Sequence, residues 1–342
     1  MNPKAAKPKY QQIHPSYDEF KKNRPAWTTS FRRNVEYLLF RFGLFIGRKF
    51  SLSKLQYFGG KLGEFAYLFL YKDRGIIERQ LEMIFPELDK NHRGTWTKEC
   101  FINFGQMLFE FLCLPKILKE EANLLIIENE DVLKNAVQTK KGVILLAMHI
   151  GNWELISAYA KRSGIKMSAS TTNFPDPRIN MLIERQREHE NMEILRRGTS
   201  KATKRIIQCL KNKEVLVLAI DQDTNVLSTW VPFFEIPAKT PVGAAVFALK
   251  TGATVVSYKV IRQDDGTFKM RFENLGTFLR KNQTFDQDLY STLRVMNQHI
   301  EKEIRKTPSQ WAWFHRRWRH RPSENDLKVM NDLEKNFGEK SS

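Results

Sequence analysis

The sequence predicts an α/β fold, with a mostly parallel central sheet flanked by helices, on three observations. From about residue 121 onward, short apolar runs rich in branched residues, such as 143–146 and 215–220, alternate with segments of helical period. Alternation of this kind favours a parallel sheet covered on both faces. Polar motifs then follow two of those runs directly, at the carboxyl edge where open α/β sheets bind ligands.

Taken in order, residues 1–30 are rich in Lys, Pro and Gln and lack the apolar core of a signal peptide, so a flexible basic arm is expected. Residues 31–120 read as a helical, membrane-associating segment. Two aromatic-rich apolar runs, 35–46 and 65–71, are bordered by Arg32, Arg33, Arg48, Lys49, Lys54 and Lys72. Neither reaches the roughly 20 apolar residues that span a bilayer. Aromatic faces with basic flanks suit helices lying in the interface of an anionic membrane; packing on the main domain is the alternative. A helix over 79–85 stops at Pro86-Glu87. Another carries Phe101, Phe104, Met107, Leu108 and Phe111 on a buried stripe, with Glu110 expected on its solvated edge.

Residues 121–322 form the α/β core. Strands are expected at 124–127, 143–149, 166–169, 215–220, 254–260 and 269–272, with helices at 131–139, 178–191, 201–211, 241–250 and 287–305. Residues 323–342 read as a charged tail that frays.

The net charge of +18 and pI near 9.7 favour anionic partners: nucleic acid, an anionic membrane, a phosphorylated lipid or an acidic carrier protein. The 24 Phe residues argue against a purely electrostatic nucleic-acid binder. Cys100, Cys113 and Cys209 are odd in number and form no CxxC pair. Cys113 and Cys209 sit beside leucines as small core residues, which fits a reducing compartment and gives no zinc site.

The run 143–146 leads into Ala147-Met148-His149-Ile150-Gly151-Asn152-Trp153-Glu154, after which Trp153, Leu155, Ile156 and Tyr159 recur at helical spacing. His149 thus ends a strand and Glu154 opens a helix. On one continuous helix the two would be rotated by about 500° and face apart. A bend at Gly151, free to adopt backbone angles other residues avoid, lets the chain return and bring the Glu154 carboxylate to the imidazole. A carboxylate there fixes the tautomer and stabilises the imidazolium. That is a general base with its orienting group. No Gly-x-Ser-x-Gly elbow supplies a nucleophile, so the substrate's own hydroxyl is expected to attack. On spacing alone, a core histidine beside a helix-cap glutamate is the other reading.

Two further groups follow. Asp221-Gln222-Asp223 sits at the carboxyl end of the 215–220 strand, where it can share a cleft with His149; Val231-Pro232-Phe233-Phe234 and Ala238-Lys239-Thr240-Pro241 come next. Thr240-Pro241 has the chemistry of a helix start whose free amides could hold a phosphate or carboxylate. Asp221 and Asp223 lack an evident third ligand, so no metal is expected. A polar loop and an ordinary cap are the plain reading. The third group, 308–322, interleaves Trp311, Trp313 and Trp318 with Arg316, Arg317, Arg319 and Arg321. It can clamp phosphates, stack on bases, lie in the headgroup zone, or pack on the sheet.

Together these stretches resemble the bacterial late acyltransferases of lipid A biosynthesis, within the lysophospholipid acyltransferase superfamily. The residues that carry the likeness are His149-Ile150-Gly151-Asn152-Trp153-Glu154, the His-x4-acid motif in this branch's form; Asp221-Gln222-Asp223 with Val231-Pro232-Phe233-Phe234 and Ala238-x-Thr240; and Gln310 to Trp318. Phe85-Pro86-Glu87 and Asn103-Phe104-Gly105 also fit, and the likeness runs over roughly residues 35–322. It implies a glycerolipid acyltransferase-like fold and acyl transfer from a thioester to a hydroxyl of a phosphorylated glycolipid, a lipid A precursor. Acyl carrier protein is the implied donor ahead of acyl-coenzyme A. No cofactor and no nucleic acid are implied, and the expected location is peripheral or monotopic on the cytoplasmic face of the cell inner membrane. His149 would act as base, oriented by Glu154, in a ternary complex without an acyl-enzyme. Asn152, Asp221, Asp223, Thr240, Arg316 and Arg317, with Arg319, would contact substrate. Family members often carry an Arg shortly before an Asn-Pro. Here 171–177 reads Thr-Thr-Asn-Phe-Pro-Asp-Pro, so Arg178 or Arg185 would have to take that place. An acyltransferase for another phospholipid or glycolipid, and a non-catalytic basic protein binding membranes or nucleic acid, are the alternatives.

Overall fold

The computed structural model describes residues 26–338 except 173, 198–199 and 282–283, so most of the basic arm and Asn173 lie outside the described residues. The chain begins with α1 (Ala26–Lys49), α2 (Leu52–Phe69), α3 (Tyr71–Ile84) and α4 (Lys90–Leu112). Ser51 caps α2 by accepting from the Lys54 amide, and Asp89 caps α4 by accepting from Asn91 and His92. α2 and α4 touch at their backbones: a Cβ on Gly63 would lie 2.3 Å from the Phe101 carbonyl oxygen, and one on Gly105 2.2 Å from that of Gly59. The outward faces of α1 and α2 stay bare, with Leu39, Phe42, Phe45, Tyr57, Phe65 and Phe69 exposed. Among the described residues, no helix is long and apolar enough to cross a membrane.

The core follows as α5 (Leu114–Leu124), β1 (Leu125–Glu128), α6 (Glu130–Gln138), β2 (Val143–Gly151), a 3-10 turn (Trp153–Leu155), α7 (Ile156–Ser163), β3 (Met167–Thr171), α8 (Pro177–Arg187), β4 (Met192–Arg196), α9 (Ser200–Lys211) and β5 (Val215–Ala219). Then come β6 (Ser228–Phe233), β7 (Ile236–Pro241), α10 (Gly243–Thr251), β8 (Thr254–Arg262), β9 (Phe268–Thr277), α11 (Phe285–Lys306), a second 3-10 turn (Pro308–Gln310) and α12 (Glu324–Gly338). Among the described residues, seven strands form one sheet in the order β1-β9-β8-β2-β5-β3-β4. β8, β2, β5, β3 and β4 run parallel; β9 is antiparallel to β8, and β1 pairs parallel with β9. The expected mostly parallel sheet is therefore observed.

Both faces of that sheet are buried, which is why its central strands read as unbroken apolar runs. Ile144, Leu146 and Met148 of β2 face a core shared with Leu81, Phe101, Leu293 and Trp313. Val143, Leu145 and Ala147 face the opposite core, with Leu114, Leu133, Tyr159 and Ile183.

Three expectations are corrected. The 178–191 helix ends at Arg187, and β4 follows. Thr240 does not start a helix. It lies in β7, paired with Thr229 of β6 in a hairpin whose turn residues Phe234 and Glu235 both have positive φ, and α10 begins only at Gly243. The tail does not fray over its described length. Ser323 and Asp326 exchange capping hydrogen bonds, and Leu327, Met330, Leu333 and Phe337 line one side of α12 against the core, with Met330 buried.

Candidate active site

β2 and β5 are neighbours in parallel register, with Ala147 opposite Ala219. Two residues further along each chain stand His149 and Asp221. Against β8 on its other side, β2 is bulged: Ala147 pairs with Tyr258 and Gly151 with Val260, so four steps of β2 match two of β8. Such a bulge re-aims side chains and frees backbone groups from the ladder. The freed His149 amide donates to Asp221 Oδ2 at 2.8 Å, and the ring Nδ1 meets Asp221 Oδ1 at 2.7 Å. Gly151 closes the bulge at φ +61°, where a Cβ would lie 1.8 Å from the Val260 carbonyl oxygen. The position requires glycine.

Asp221 is fully buried and accepts a third hydrogen bond, from Trp311 Nε1 at 2.9 Å. Burial pushes its pKa up, but the charge of His149 and the hydrogen bonds from His149 and Trp311 outweigh that and hold it down at about 2. An ionised carboxylate only accepts, so Nδ1–H is the donor, and whenever the imidazole is neutral its lone pair lies on Nε2. The His149 side chain is 21 % exposed. The Trp153 indole stands edge-on to the imidazole, with centroids 4.8 Å apart. The His149 carbonyl accepts from the Ala312 amide at 3.0 Å, tying the 311–314 segment to the strand end. A largely apolar cleft beside the turn is lined by Cys100, Phe104, Met107, Trp153, Trp311 and Phe314.

The orienting group on the ring is thus Asp221, not Glu154. Glu154 does sit in the turn after Gly151, but its carboxylate forms a two-pronged ion pair with Arg187, at 2.6 Å and 2.5 Å, and accepts from Trp153 Nε1 at 3.1 Å. The reason is competition. The guanidinium offers two charge-assisted hydrogen bonds in one plane, while Nδ1 is already filled from the neighbouring strand. Glu154 touches the imidazole only indirectly, by holding the indole that packs on it.

The other expected residues divide. Asn152 is buried; its Oδ1 accepts from the Glu154 amide at 3.2 Å and its Nδ2 donates to Glu110 at 2.8 Å. Glu110 is fully buried rather than on a solvated edge, because Arg262, Gln56 and Asn152 satisfy it. Asp223 is buried, with His320 Nδ1 at 2.6 Å and Arg319 Nε at 3.5 Å from its carboxylate and His315 Nε2 at 2.8 Å from its carbonyl. Thr240 is buried, and its hydroxyl accepts from Arg317 at 2.8 Å. Arg317 itself is fully buried, gives a second hydrogen bond to the Lys239 carbonyl and lies 4.9 Å over the Phe233 ring. It fastens the β6–β7 hairpin from inside and is not placed to meet a phosphate at the surface. Arg316 is half-buried and Arg319 exposed. Arg178 pairs with Asp176 at 2.7 Å and covers the Tyr37 ring of α1, while Arg185 is exposed on α8. Burial pushes the Cys209 thiol up to about 12 and raises Cys100 as well, so both are inert core thiols.

Arg187 was missed as a functional residue, and Trp311 was singled out only within the stretch 308–322, without its link to Asp221. Arg187 carries a periodic signal: with Asn180 and Ile183 it falls at three- and four-residue spacing on the buried face of α8. Trp311 carries none, since its partner is 90 residues away.

The chain is similar in sequence to known proteins. Residues 25–320 match the family described as bacterial lipid A biosynthesis acyltransferase. The chain is 27 % identical over 322 residues to the lipid A biosynthesis palmitoleoyltransferase of Escherichia coli K12, covering 91 % of this chain and 94 % of that one. It is 27 % identical over 272 residues to the lipid A biosynthesis lauroyltransferase of the same organism, covering 77 % and 85 %. A shorter stretch of 129 residues, 37 % of this chain and 40 % of the relative, is 27 % identical to a phosphatidylinositol mannoside acyltransferase of Mycobacterium tuberculosis. With the match spanning the helical segment, the sheet and the tryptophan-rich strap alike, the chain belongs to the bacterial lipid A biosynthesis acyltransferase family.

Proposed function

We propose that the protein moves a fatty acyl group from an acyl thioester on acyl carrier protein to a hydroxyl of a lipid A precursor, with His149 as general base and Asp221 as its orienting carboxylate. The observation that carries the reading is the 2.7 Å contact between His149 Nδ1 and Asp221 Oδ1, which leaves the lone pair of Nε2 for a substrate proton. In the reaction Nε2 takes the hydroxyl proton as the oxygen attacks the thioester carbonyl. The buried, ionised Asp221 stabilises the imidazolium, and the proton passes on to the leaving thiolate. The substrate alcohol is the nucleophile, so donor and acceptor must be bound together. The basic surface suits both acidic partners, the carrier protein and the phosphorylated acceptor; Arg316 and Arg319 are the proposed phosphate contacts. The bare apolar faces of α1 and α2 support peripheral attachment at the cytoplasmic face of the inner membrane.

The test is kinetic. Purified, folded His149→Ala and Asp221→Asn variants are assayed with labelled acyl carrier protein and a lipid A precursor. Both should lose about 10²–10⁴-fold in kcat, the range for general-base catalysis. Near-full transfer by either variant rules the mechanism out.

A further inference from the structure

A buried charge cluster lies on the β8 side of the catalytic turn, across β2 from Asp221, and the chemistry above does not use it. Glu110 of α4 and Arg262 at the end of β8 form a two-pronged ion pair, Nε to Oε1 at 2.5 Å and Nη2 to Oε2 at 2.8 Å. The remaining acceptor sites are filled by Gln56 Nε2 at 3.0 Å on Oε1 and Asn152 Nδ2 at 2.8 Å on Oε2. Removing two charges from water is unfavourable, and an apolar pair of similar volume often packs as well or better. The pair is therefore better explained by what it holds than by its own stability.

It holds two segments. Asn152 Nδ2 faces the carboxylate, so Oδ1 must face the Glu154 amide, where it accepts at 3.2 Å. A flipped amide would set oxygen against oxygen at one end and N–H against N–H at the other. The orientation of the Trp153–Leu155 turn follows from that single choice. Arg262 also donates to Asn103 Oδ1 at 2.8 Å, and its backbone exchanges hydrogen bonds with the Gln310 side chain at 3.1 Å and 3.2 Å. Gln310 immediately precedes Trp311, the indole on Asp221.

We propose that the Glu110–Arg262 pair is the positioning centre of the active site. Glu110 fixes the Asn152 carboxamide, which fixes the turn that sets Trp153 and Glu154 against the His149 imidazole, while Arg262 fixes the strap carrying Trp311. Neither residue meets a reacting atom; both act through others. The proposal deepens the acyl-transfer reading and rests on it for its kinetic readout, but its structural readout does not.

Three variants test it: Glu110→Gln; Asn152→Ala, which leaves the ion pair and Gln56 in place; and the exchange Glu110→Gln/Asn152→Asp. The exchange keeps one carboxylate, one carboxamide and the cluster's net charge. Amide hydrogen exchange over residues 149–156 is measured together with kcat and KM, at a temperature where circular dichroism shows each variant folded. The expected result for Glu110→Gln and Asn152→Ala is faster exchange in that segment and a fall in kcat of about 10²-fold with KM little changed, the cost of misplaced reacting groups. The exchange variant should recover part of the slow hydrogen exchange and part of kcat, because the new carboxamide and carboxylate pair with each other while one Arg262 N–H loses its acceptor. Unchanged exchange and kcat in Asn152→Ala overturns the proposal, even if Glu110→Gln does not fold. So does an exchange variant no better than the worse single. Should the protein show no acyl transfer at all, the acyl-transfer reading falls, and the hydrogen-exchange pattern and its rescue still decide the positioning role.

Discussion

The carboxylate that braces His149 comes from the adjacent strand, and the one nearest in the chain serves Arg187 instead. This separates two roles that a His-x4-acid motif invites one to merge. The Glu154–Arg187 pair is mostly buried, with 10 % and 18 % of its side chains exposed. Burial acts against the charge of Arg187, but Glu154 beside it outweighs that and raises its pKa. Arg187→Met should leave Glu154 uncompensated and destabilise the protein by about 3–5 kcal/mol. The double variant Glu154→Gln/Arg187→Met should recover most of that loss in urea denaturation; equal stability of the single and double variants would refute the pairing. At this scale His149 and Gly151 were legible, because a polar residue and a glycine ending an apolar run mark a strand's carboxyl edge. Asp221 was legible as a cleft residue but not as the brace. Its place opposite His149 depends on strands 72 residues apart falling into register, and local spacing does not encode register.

Helices pack at the catalytic core in two ways, each with a measurable consequence. α2 and α4 meet at backbone distance, so Gly105→Leu places side-chain atoms where the Gly59 carbonyl lies. The helices must part, costing about 1–3 kcal/mol or more by overpacking, seen as a lower thermal midpoint. α11 and α12 meet instead around Arg294, which pairs with Glu235 and Glu334 and lies 3.8 Å from Glu301. Burial is the main cause that lifts Glu301 to about 7 from its ordinary 4.5. The folded state therefore holds that proton more tightly than the unfolded chain. Its contribution to stability is fully present below pH 4.5 and is lost as pH rises through about 7. Glu301→Gln should raise stability at pH 8, by about 1–3 kcal/mol, and change little at pH 4; no gain at pH 8 would show the side chain to be ionised without cost. The sequence showed the strands of the sheet's centre and most helices, since burial on both faces or one writes itself into hydrophobic period. It hid β4, which is short and follows a helix without a strong break. It also hid the β6–β7 hairpin, whose two-residue turn is Phe-Glu rather than the Asn-Gly or Asp-Gly that advertises positive φ. The stripe on α12 was present in 327–337 and was masked by the charges around it.

For the whole molecule, charge and apolar surface act together. The chain carries a net +18, and the outward faces of α1 and α2 expose large side chains such as Leu39 at 64 %, Phe42 at 61 % and Phe65 at 58 %. Large exposed apolar side chains gathered on two consecutive helices are what an interaction site presents. Lys49 lies over Phe45 and Arg41 over Tyr37, so the cations sit along the same helix as the rings. That pairing suits an anionic lipid surface, with rings in the acyl boundary and cations at the headgroups. Replacing Leu39, Phe42 and Phe45 together by Ser should leave the fold intact, since these side chains are already exposed. Each large side chain is worth about 1.5–3 kcal/mol when buried, so vesicle affinity should fall at least about 10²-fold. In flotation with vesicles containing phosphatidylglycerol, the unaltered chain should bind more weakly as salt rises. The triple variant should remain in the unbound fraction at salt concentrations the unaltered chain tolerates. Equal flotation of the two would mean that this face does not carry the attachment.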